Sequence, residues 1–333
     1  MKRICKLSII IFFLIIFESL FVTGCKESYE NNDKVRLAYF GDSTELPLIT
    51  AFEEGYFKEE CLNVELVKLD YKDFVNSINN KSIDGGTCDY RIIKNIEEGA
   101  NIKIGAGLHS GSIEILSSSE SGIETINDLK NKKLGVVGKG SGIMIAAKTV
   151  VSKYGIDLVK DTNLVYLDEN QLYDALRKGT VDSIVLWQND NENNEFKTIY
   201  KSSDIDSASA FGHSHHGSEY FYISFAGISK EITDTCPQKT AGILRAWIKG
   251  TNRVEENKEE CLQKAVNDGY IVGNYDENYK IIKQYMWMPS VKYAKDNLKS
   301  YIKIQRTIGV LPDNLNEDEF YKNSFADVLP YWN

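Results

Sequence analysis

The feature that most constrains the fold of this chain is an alternation of strand-like and helix-like segments beginning at residue 35. Residues 35–40 and 64–69 alternate apolar with polar side chains, as half-buried strands do, and residues 46–52 between them have helical spacing. Strands that alternate with helices imply mainly parallel sheets covered by helices. The same reasoning predicts strands at 102–106, 133–137, 164–167 and 181–186, and helices at 143–154 and 169–178.

The alternation falls into two runs, separated by a Ser/Gly-rich passage at residues 117–122. Two runs predict two α/β lobes, with residues 35–116 as the first part of lobe 1 and residues 117–219 as lobe 2. A strand at 220–228 would return the chain to lobe 1, where the mostly helical remainder of residues 220–333 would pack.

The first 24 residues differ in character from the rest. A basic head of Lys2, Arg3 and Lys6 precedes an apolar run that Glu18 ends too early for a membrane-spanning helix. The run is followed by VTGC at 22–25, which resembles a bacterial lipobox. We therefore expect residues 1–24 to be a signal peptide, Cys25 to carry lipid, and residues 25–34 to be a linker. The protein would be extracytoplasmic, anchored by lipid to the outer face of the bacterial cell membrane.

Charge and cysteine content exclude two classes of protein. The formal net charge of −9 becomes −11 when residues 1–24, with three basic side chains and one acidic, are removed. This acid excess argues against a nucleic-acid partner. The cysteines after Cys25 are too few for a disulfide scaffold, although a Cys236–Cys261 disulfide remains open.

Four stretches of the chain, in order, are similar to known importer proteins. They are residues 48–67 (LITAFEEGYFKEECLNVELV), 83–89 (IDGGTCD), 124–136 (ETINDLKNKKLGV) and 176–184 (LRKGTVDSI). Together they resemble substrate-binding proteins of ABC importers, in the branch for nitrate, taurine, aliphatic sulphonates and thiamine-pyrimidine precursors. The resemblance covers essentially the whole mature chain.

That resemblance implies a two-lobed clamp of the type II periplasmic-binding fold. Such a protein closes by a hinge on a small polar ligand, anionic or heterocyclic, and delivers it to the ABC permease subunits in the membrane. It implies binding rather than catalysis, no cofactor, and a monomer.

Ligands of α/β sheets bind at the carboxyl ends of the strands. The Gly-rich turn at 138–142 follows a strand and opens a helix, so its N–H groups favour an anionic or polar group. Its spacing is not that of a nucleotide-binding P-loop. The predicted ligand-binding residues are Ser43, Thr44, Cys88, Asp89, His109, Ser110, Gly140, Ser141, Trp187, Gln188 and Tyr220.

Three histidines, His213, His215 and His216, cluster in an otherwise histidine-poor chain. They allow a metal-binding lipoprotein as one alternative function, against a simple polar loop between the lobes. A second alternative is an enzyme, because the fold is shared with pyrimidine-precursor synthases. No G-x-S-x-G or H-E-x-x-H motif occurs, so we predict no catalytic residue.

Overall fold

The computed structural model describes residues 34–111, 113–138, 141–187, 195–202 and 222–329. The strands within these ranges are β1 (Val35–Tyr39), β2 (Val64–Lys68), β3 (Gly85–Cys88), β4 (Ile102–Ser110), β5 (Ile113–Ser117), β6 (Lys133–Val137), β7 (Asn163–Leu167), β8 (Ser183–Trp187), β9 (Lys197–Lys201) and β10 (Tyr222–Ser229). The helices are α1 (Leu46–Glu53), α2 (Tyr56–Glu59), α3 (Phe74–Asn79), α4 (Ile92–Glu97), α5 (Gly142–Ser152), α6 (Leu172–Arg177), α7 (Lys230–Thr235), α8 (Pro237–Glu256), α9 (Lys258–Asn267), α10 (Tyr275–Ile282), α11 (Val291–Thr307) and α12 (Glu317–Ser324). Within the described ranges, none of the helices combines the length and the apolar character that crossing a bilayer requires.

The first sheet has five strands in the order β2-β1-β3-β10-β4. β1 pairs in parallel with β2 and β3, whereas β10 runs antiparallel to both of its neighbours. Four strands therefore share one direction, as the sequence predicts. β10 is the predicted return strand, and it enters the sheet between β3 and β4.

The second sheet has the order β7-β6-β8-β5-β9. β6 is parallel to β7 and β8, and β5 is antiparallel to β8 and β9. The predicted fold class is confirmed: two mainly parallel sheets with flanking helices form the α/β architecture of a two-lobed clamp. We call each sheet with its helices a lobe.

The chain passes from the first sheet to the second between Ser110 and Ile113. The Ser/Gly-rich passage predicts this crossing later, between residues 116 and 117. β5 is fully buried and pairs with β8 and β9, so its apolar residues belong to the second sheet. The passage that follows is a connection inside the second lobe. The other lobe boundaries stay predictions.

β3 is a central strand although its glycines suggest a turn. An ideal Cβ on Gly85 would lie 2.5 Å from the carbonyl oxygen of Gly227, and one on Gly86 would lie 2.7 Å from the Phe74 ring. Side chains do not tolerate such distances, so these glycines permit close approach of β10 and Phe74 rather than a turn.

β4 is longer than the strand predicted at 102–106. β10 pairs with it over its whole length, from Ser110 opposite Tyr222 to Ile102 opposite Ser229. The predicted strand stops short of His109 and Ser110, whereas the structure includes both in β4.

Much of the C-terminal part of the chain packs on the first lobe. α8 lies against α1, and α11 packs on β4. Bridges from Gly107 to Ser290 and from Ser110 to Met286 attach the preceding segment to β4. Cys236 and Cys261 are free thiols, so the disulfide left open by the sequence does not form.

Candidate functional site

A cavity of about 680 Å³ lies at the carboxyl ends of the first-sheet strands. Most of its wall comes from the first lobe and the C-terminal helical region, and Trp187 at the end of β8 adds a side chain from the second lobe. The lining residues are Phe40, Gly41, Asp42, Ser43, Thr44, Tyr71, Thr87, Cys88, Asp89, Arg91, His109, Trp187, Ile223, Ser224, Val272, Asn278, Ile281 and Tyr285. The cavity is where the strand-end rule places a ligand.

The loop after β1 is held in position by one buried carboxyl group. Glu45 Oε2 accepts hydrogen bonds from the backbone N–H groups of Phe40 at 2.7 Å, Gly41 at 2.9 Å and Asp42 at 3.1 Å. Burial outweighs these hydrogen bonds and raises the pKa of Glu45 to about 8. Glu45 thus fixes the part of the wall that carries Ser43 and Thr44, without lining the cavity itself.

An ion pair lies beyond the end of β3. Arg91 Nε is 2.7 Å and 2.9 Å from the two carboxylate oxygens of Asp89. The guanidinium also lies 4.7 Å from the centre of the Tyr71 ring, a cation–π distance. Burial lowers the pKa of Arg91, but the hydrogen bonds and charge of Asp89 outweigh it and raise that pKa. The guanidinium therefore stays charged, and its charge is largely neutralised by Asp89.

A second cavity of about 240 Å³ shares Arg91 and Trp187 with the first. It also reaches Ser141 and Gly142 at the start of α5 in the second lobe. Ser141 caps this helix, since its Oγ accepts from the N–H of Met144 at 3.3 Å. The hydroxyl of Tyr90, from the first lobe, donates to the carbonyl oxygen of Gly142. The lobes are thus in contact beside the ion pair.

His109 is completely buried in the wall of the larger cavity. Its ring stacks on Tyr285 with centroids 4.3 Å apart, and Trp287 lies 4.6 Å away on a tilted plane. Burial lowers the pKa of His109 to about 3, opposed only by the backbone of Ser110. The imidazole is therefore neutral at physiological pH.

The structure brings most of the predicted site residues together. Six of them, Ser43, Thr44, Cys88, Asp89, His109 and Trp187, line the larger cavity, and Ser141 lines the adjoining one. Ser110 is buried but lines neither, because successive side chains of a strand point to opposite faces and His109 takes the cavity side. Gly140, Gln188 and Tyr220 lie outside the described residues. That these residues bind a ligand stays a prediction.

The structure gives the surroundings of Cys88 but not those of the histidine cluster. The Cys88 thiol is buried and donates to the carbonyl oxygen of Phe225 at 3.7 Å, and burial raises its pKa well above the usual value. Among the described residues, no three His, Cys, Asp or Glu side chains are placed to share a metal ion. His213, His215 and His216 lie outside the described residues, as does Cys25, so the metal and lipid hypotheses stay predictions.

Several residues that line the cavity are not among the predicted site residues. Tyr71 follows the end of β2 and Arg91 follows Asp89 by two positions, so a wider reading of the strand-end rule would include both. Asn278, Ile281 and Tyr285 have no such signal, because they belong to α10 and the segment after it, far along the chain. Long-range contacts bring it to the cavity: the segment after α10 pairs with β4, and the N–H of Val272, before α10, donates to the carbonyl oxygen of Gly41 at 2.9 Å.

Comparison with known proteins agrees with this architecture. A sequence model described as NMT1/THI5 like matches residues 43–261. No curated protein matches the chain. The family match covers more than half of the chain and includes most of the cavity wall.

Similar solved structures are periplasmic binding proteins. The sulfonate-binding protein SsuA from Methylobacillus flagellatus KT has a TM-score of 0.67 and 17% identity, covering 90% of this chain and 94% of that one. The aliphatic sulphonate binding protein SsuA from Escherichia coli has a TM-score of 0.62 and 13% identity, over 88% and 91%. The nitrate-binding protein NrtA from Synechocystis PCC 6803 has a TM-score of 0.61 and 13% identity, over 89% and 87%. The chain thus belongs to the NMT1/THI5-like family and has the fold of the periplasmic binding proteins.

Proposed function

We propose that the protein is the extracytoplasmic solute-binding component of an ABC importer, which captures a small ligand between its two lobes and delivers it to a permease. The observation that carries the proposal is the cavity of about 680 Å³, whose wall combines the first lobe with Trp187 of the second. Its volume lies within the usual range for small-molecule sites. SsuA and NrtA, which share the fold, are named for binding sulfonates and nitrate.

The proposal also covers the location of the protein and its partners. Lipid on Cys25 would tether the folded part to the outer face of the cell membrane, next to the permease subunits. We propose that it acts as a monomer. We also propose that it has no nucleic-acid partner, because the net charge is negative.

We further propose that the site binds its ligand without converting it. The one thiol of the described cavity wall, Cys88, is hydrogen-bonded and its raised pKa keeps it protonated, which is unfavourable for a nucleophile. The wall instead presents aromatic faces and hydrogen-bonding groups, which suit recognition.

The proposal is tested by thermal unfolding of the purified protein with taurine, methanesulfonate, nitrate, thiamine or nicotinamide. A compound at about 100 times its Kd should add roughly 2.7 kcal/mol to the free energy of unfolding. Trp187 is 37% exposed at the cavity, so Trp187→Ala should weaken binding of any compound that stabilises the protein.

The matched control is Tyr166→Ala. Tyr166 is an exposed aromatic residue of β7, an edge strand of the second sheet, and does not line either cavity. Binding that survives in this variant but falls in Trp187→Ala supports the proposal. Absence of stabilisation by every compound contradicts it.

A further inference from the structure

Three uncharged polar side chains lie next to one another on the inner wall of the larger cavity. Thr87, Ser224 and His109 come from β3, β10 and β4, which are consecutive strands of the first sheet. Ser224 is directly opposite His109 in the strand pairing. We call these three side chains the neutral polar floor.

The polar atoms of this floor lack partners within the part of the chain that the structure describes. Thr87 is 6%, Ser224 4% and His109 0% exposed. Thr87 Oγ1 and Ser224 Oγ make no hydrogen bond to any described residue, and the ring nitrogens of His109 have only the nearby backbone of Ser110, without the geometry of a standard hydrogen bond. Buried polar atoms are normally hydrogen-bonded, and leaving them without a partner costs free energy. All four atoms belong to residues that line one cavity, which points to a group that enters it.

The chemistry of the floor is that of a neutral donor and acceptor set. A neutral imidazole donates from one nitrogen and accepts at the other, and each hydroxyl does both. Stacking on Tyr285 and contact with Trp287 restrict rotation of the His109 ring, so the two ring nitrogens are held in a fixed orientation.

The charged groups of the wall do not favour an anion. Among the described lining residues, Arg91 is the single cation, and Asp89 holds it in an ion pair. Asp42 adds a carboxylate that has no cationic partner among the described residues. The aromatic rings of Phe40, Tyr71, Trp187 and Tyr285 surround these groups and suit a planar ligand.

We infer that the neutral polar floor binds an uncharged group that carries both a hydrogen-bond donor and an acceptor, such as a carboxamide, a urea or a lactam. This inference rests on the proposed function and specifies the ligand class of the same site. It separates this chain from the sulfonate and nitrate specificity in the names of SsuA and NrtA.

The test uses nicotinamide and nicotinate, which have the same ring and differ in the charge of one substituent. Dissociation constants are measured calorimetrically on the purified protein, with nitrate and methanesulfonate as further anions. Nicotinamide should bind at least about tenfold more tightly than nicotinate, because only the amide satisfies the floor without burying a charge.

Two mild substitutions test the floor itself. Thr87→Val and Ser224→Ala each remove one hydroxyl with little change of shape, and each should weaken nicotinamide binding about fivefold. His109→Phe keeps a stacked ring but removes both nitrogens, and should weaken binding more. His109→Gln, which retains a donor and an acceptor, should recover part of the loss.

Matched controls remove hydroxyls that are also buried and without a partner among the described residues but lie elsewhere. They are Thr240→Val in α8 and Ser183→Ala in β8, and both should leave nicotinamide binding unchanged. Tighter binding of any of the anions overturns the inference but leaves the importer function standing. Nicotinamide binding that is absent, or that is unchanged in Thr87→Val and Ser224→Ala, also overturns it. The importer function fails only if no compound of either class binds.

Discussion

Replacing Glu45 with glutamine should change how the stability of the protein depends on pH. The carboxyl group of Glu45 is buried behind the loop that forms one side of the cavity, and its pKa is raised from 4.5 to about 8. An acid whose pKa is higher in the folded state keeps its proton there while the unfolded chain has already released it. The stability it contributes is therefore complete below pH 4.5 and is lost as the pH rises toward 8.

The size of the effect follows from these pKa values. Each unit between the two pKa values is worth about 1.4 kcal/mol. Between pH 5 and pH 8, the raised pKa of Glu45 should therefore lower the free energy of unfolding of the wild type by roughly 3 kcal/mol. A glutamine side chain at this position can accept from the same three backbone N–H groups through its amide oxygen and does not titrate, so the variant should lack this loss.

The assay is urea unfolding followed by tryptophan fluorescence at pH 5, 6, 7 and 8. The free energies of unfolding of wild type and Glu45→Gln should diverge as the pH rises, with the variant gaining relative to wild type. Glu120→Gln, at an exposed carboxyl, should stay parallel to wild type. Parallel curves for wild type and Glu45→Gln would refute the assignment of a buried, protonated carboxyl.

Two further predictions concern packing and charge. Gly250→Ala should lower the free energy of unfolding by about 1–2 kcal/mol in urea titrations, because its Cβ would lie 2.4 Å from the carbonyl oxygen of Pro47 in α1. Gly242→Ala in the same helix has only ordinary contacts and should be neutral or slightly stabilising, so equal losses in both variants would contradict the packing argument. Asp89→Asn releases Arg91 from its ion pair and should therefore strengthen the binding of nitrate and methanesulfonate severalfold, as measured by calorimetry. An unchanged or weaker affinity would show that Arg91 does not bind these anions.

Much of the fold is predictable from local pattern alone. β6 has the bounds that the pattern predicts, and β1, β2 and β7 each differ from the predicted bounds by one residue. β3 is not among the predicted strands, because its glycines have a packing reason that involves Phe74 and the distant residue Gly227. The predicted end of β4 is too early for a similar reason, because the last residues of this strand are strand only through their pairing with β10.

The candidate site is likewise only partly predictable from the sequence. Strand-end positions such as Ser43, Asp89 and His109 can be proposed from sequence, because the carboxyl ends of parallel strands meet at one edge of a sheet. Ser224 cannot, because its position on the floor depends on the insertion of β10 between β3 and β4. The burial of His109 is also invisible in the sequence, since it depends on Tyr285 and Trp287, which are far along the chain.

The sequence by itself determined the class of the protein: the alternation of strands and helices, its two runs, and the family to which the chain belongs. These are properties of local periodicity and of ordered motifs, which neighbouring residues encode. Only the tertiary structure decided the chemistry of the cavity, because it brings Thr87, Ser224 and His109 together on one wall. Burial and the meeting of these three side chains are set by strands and helices that are distant along the chain, and local pattern carries no information about them.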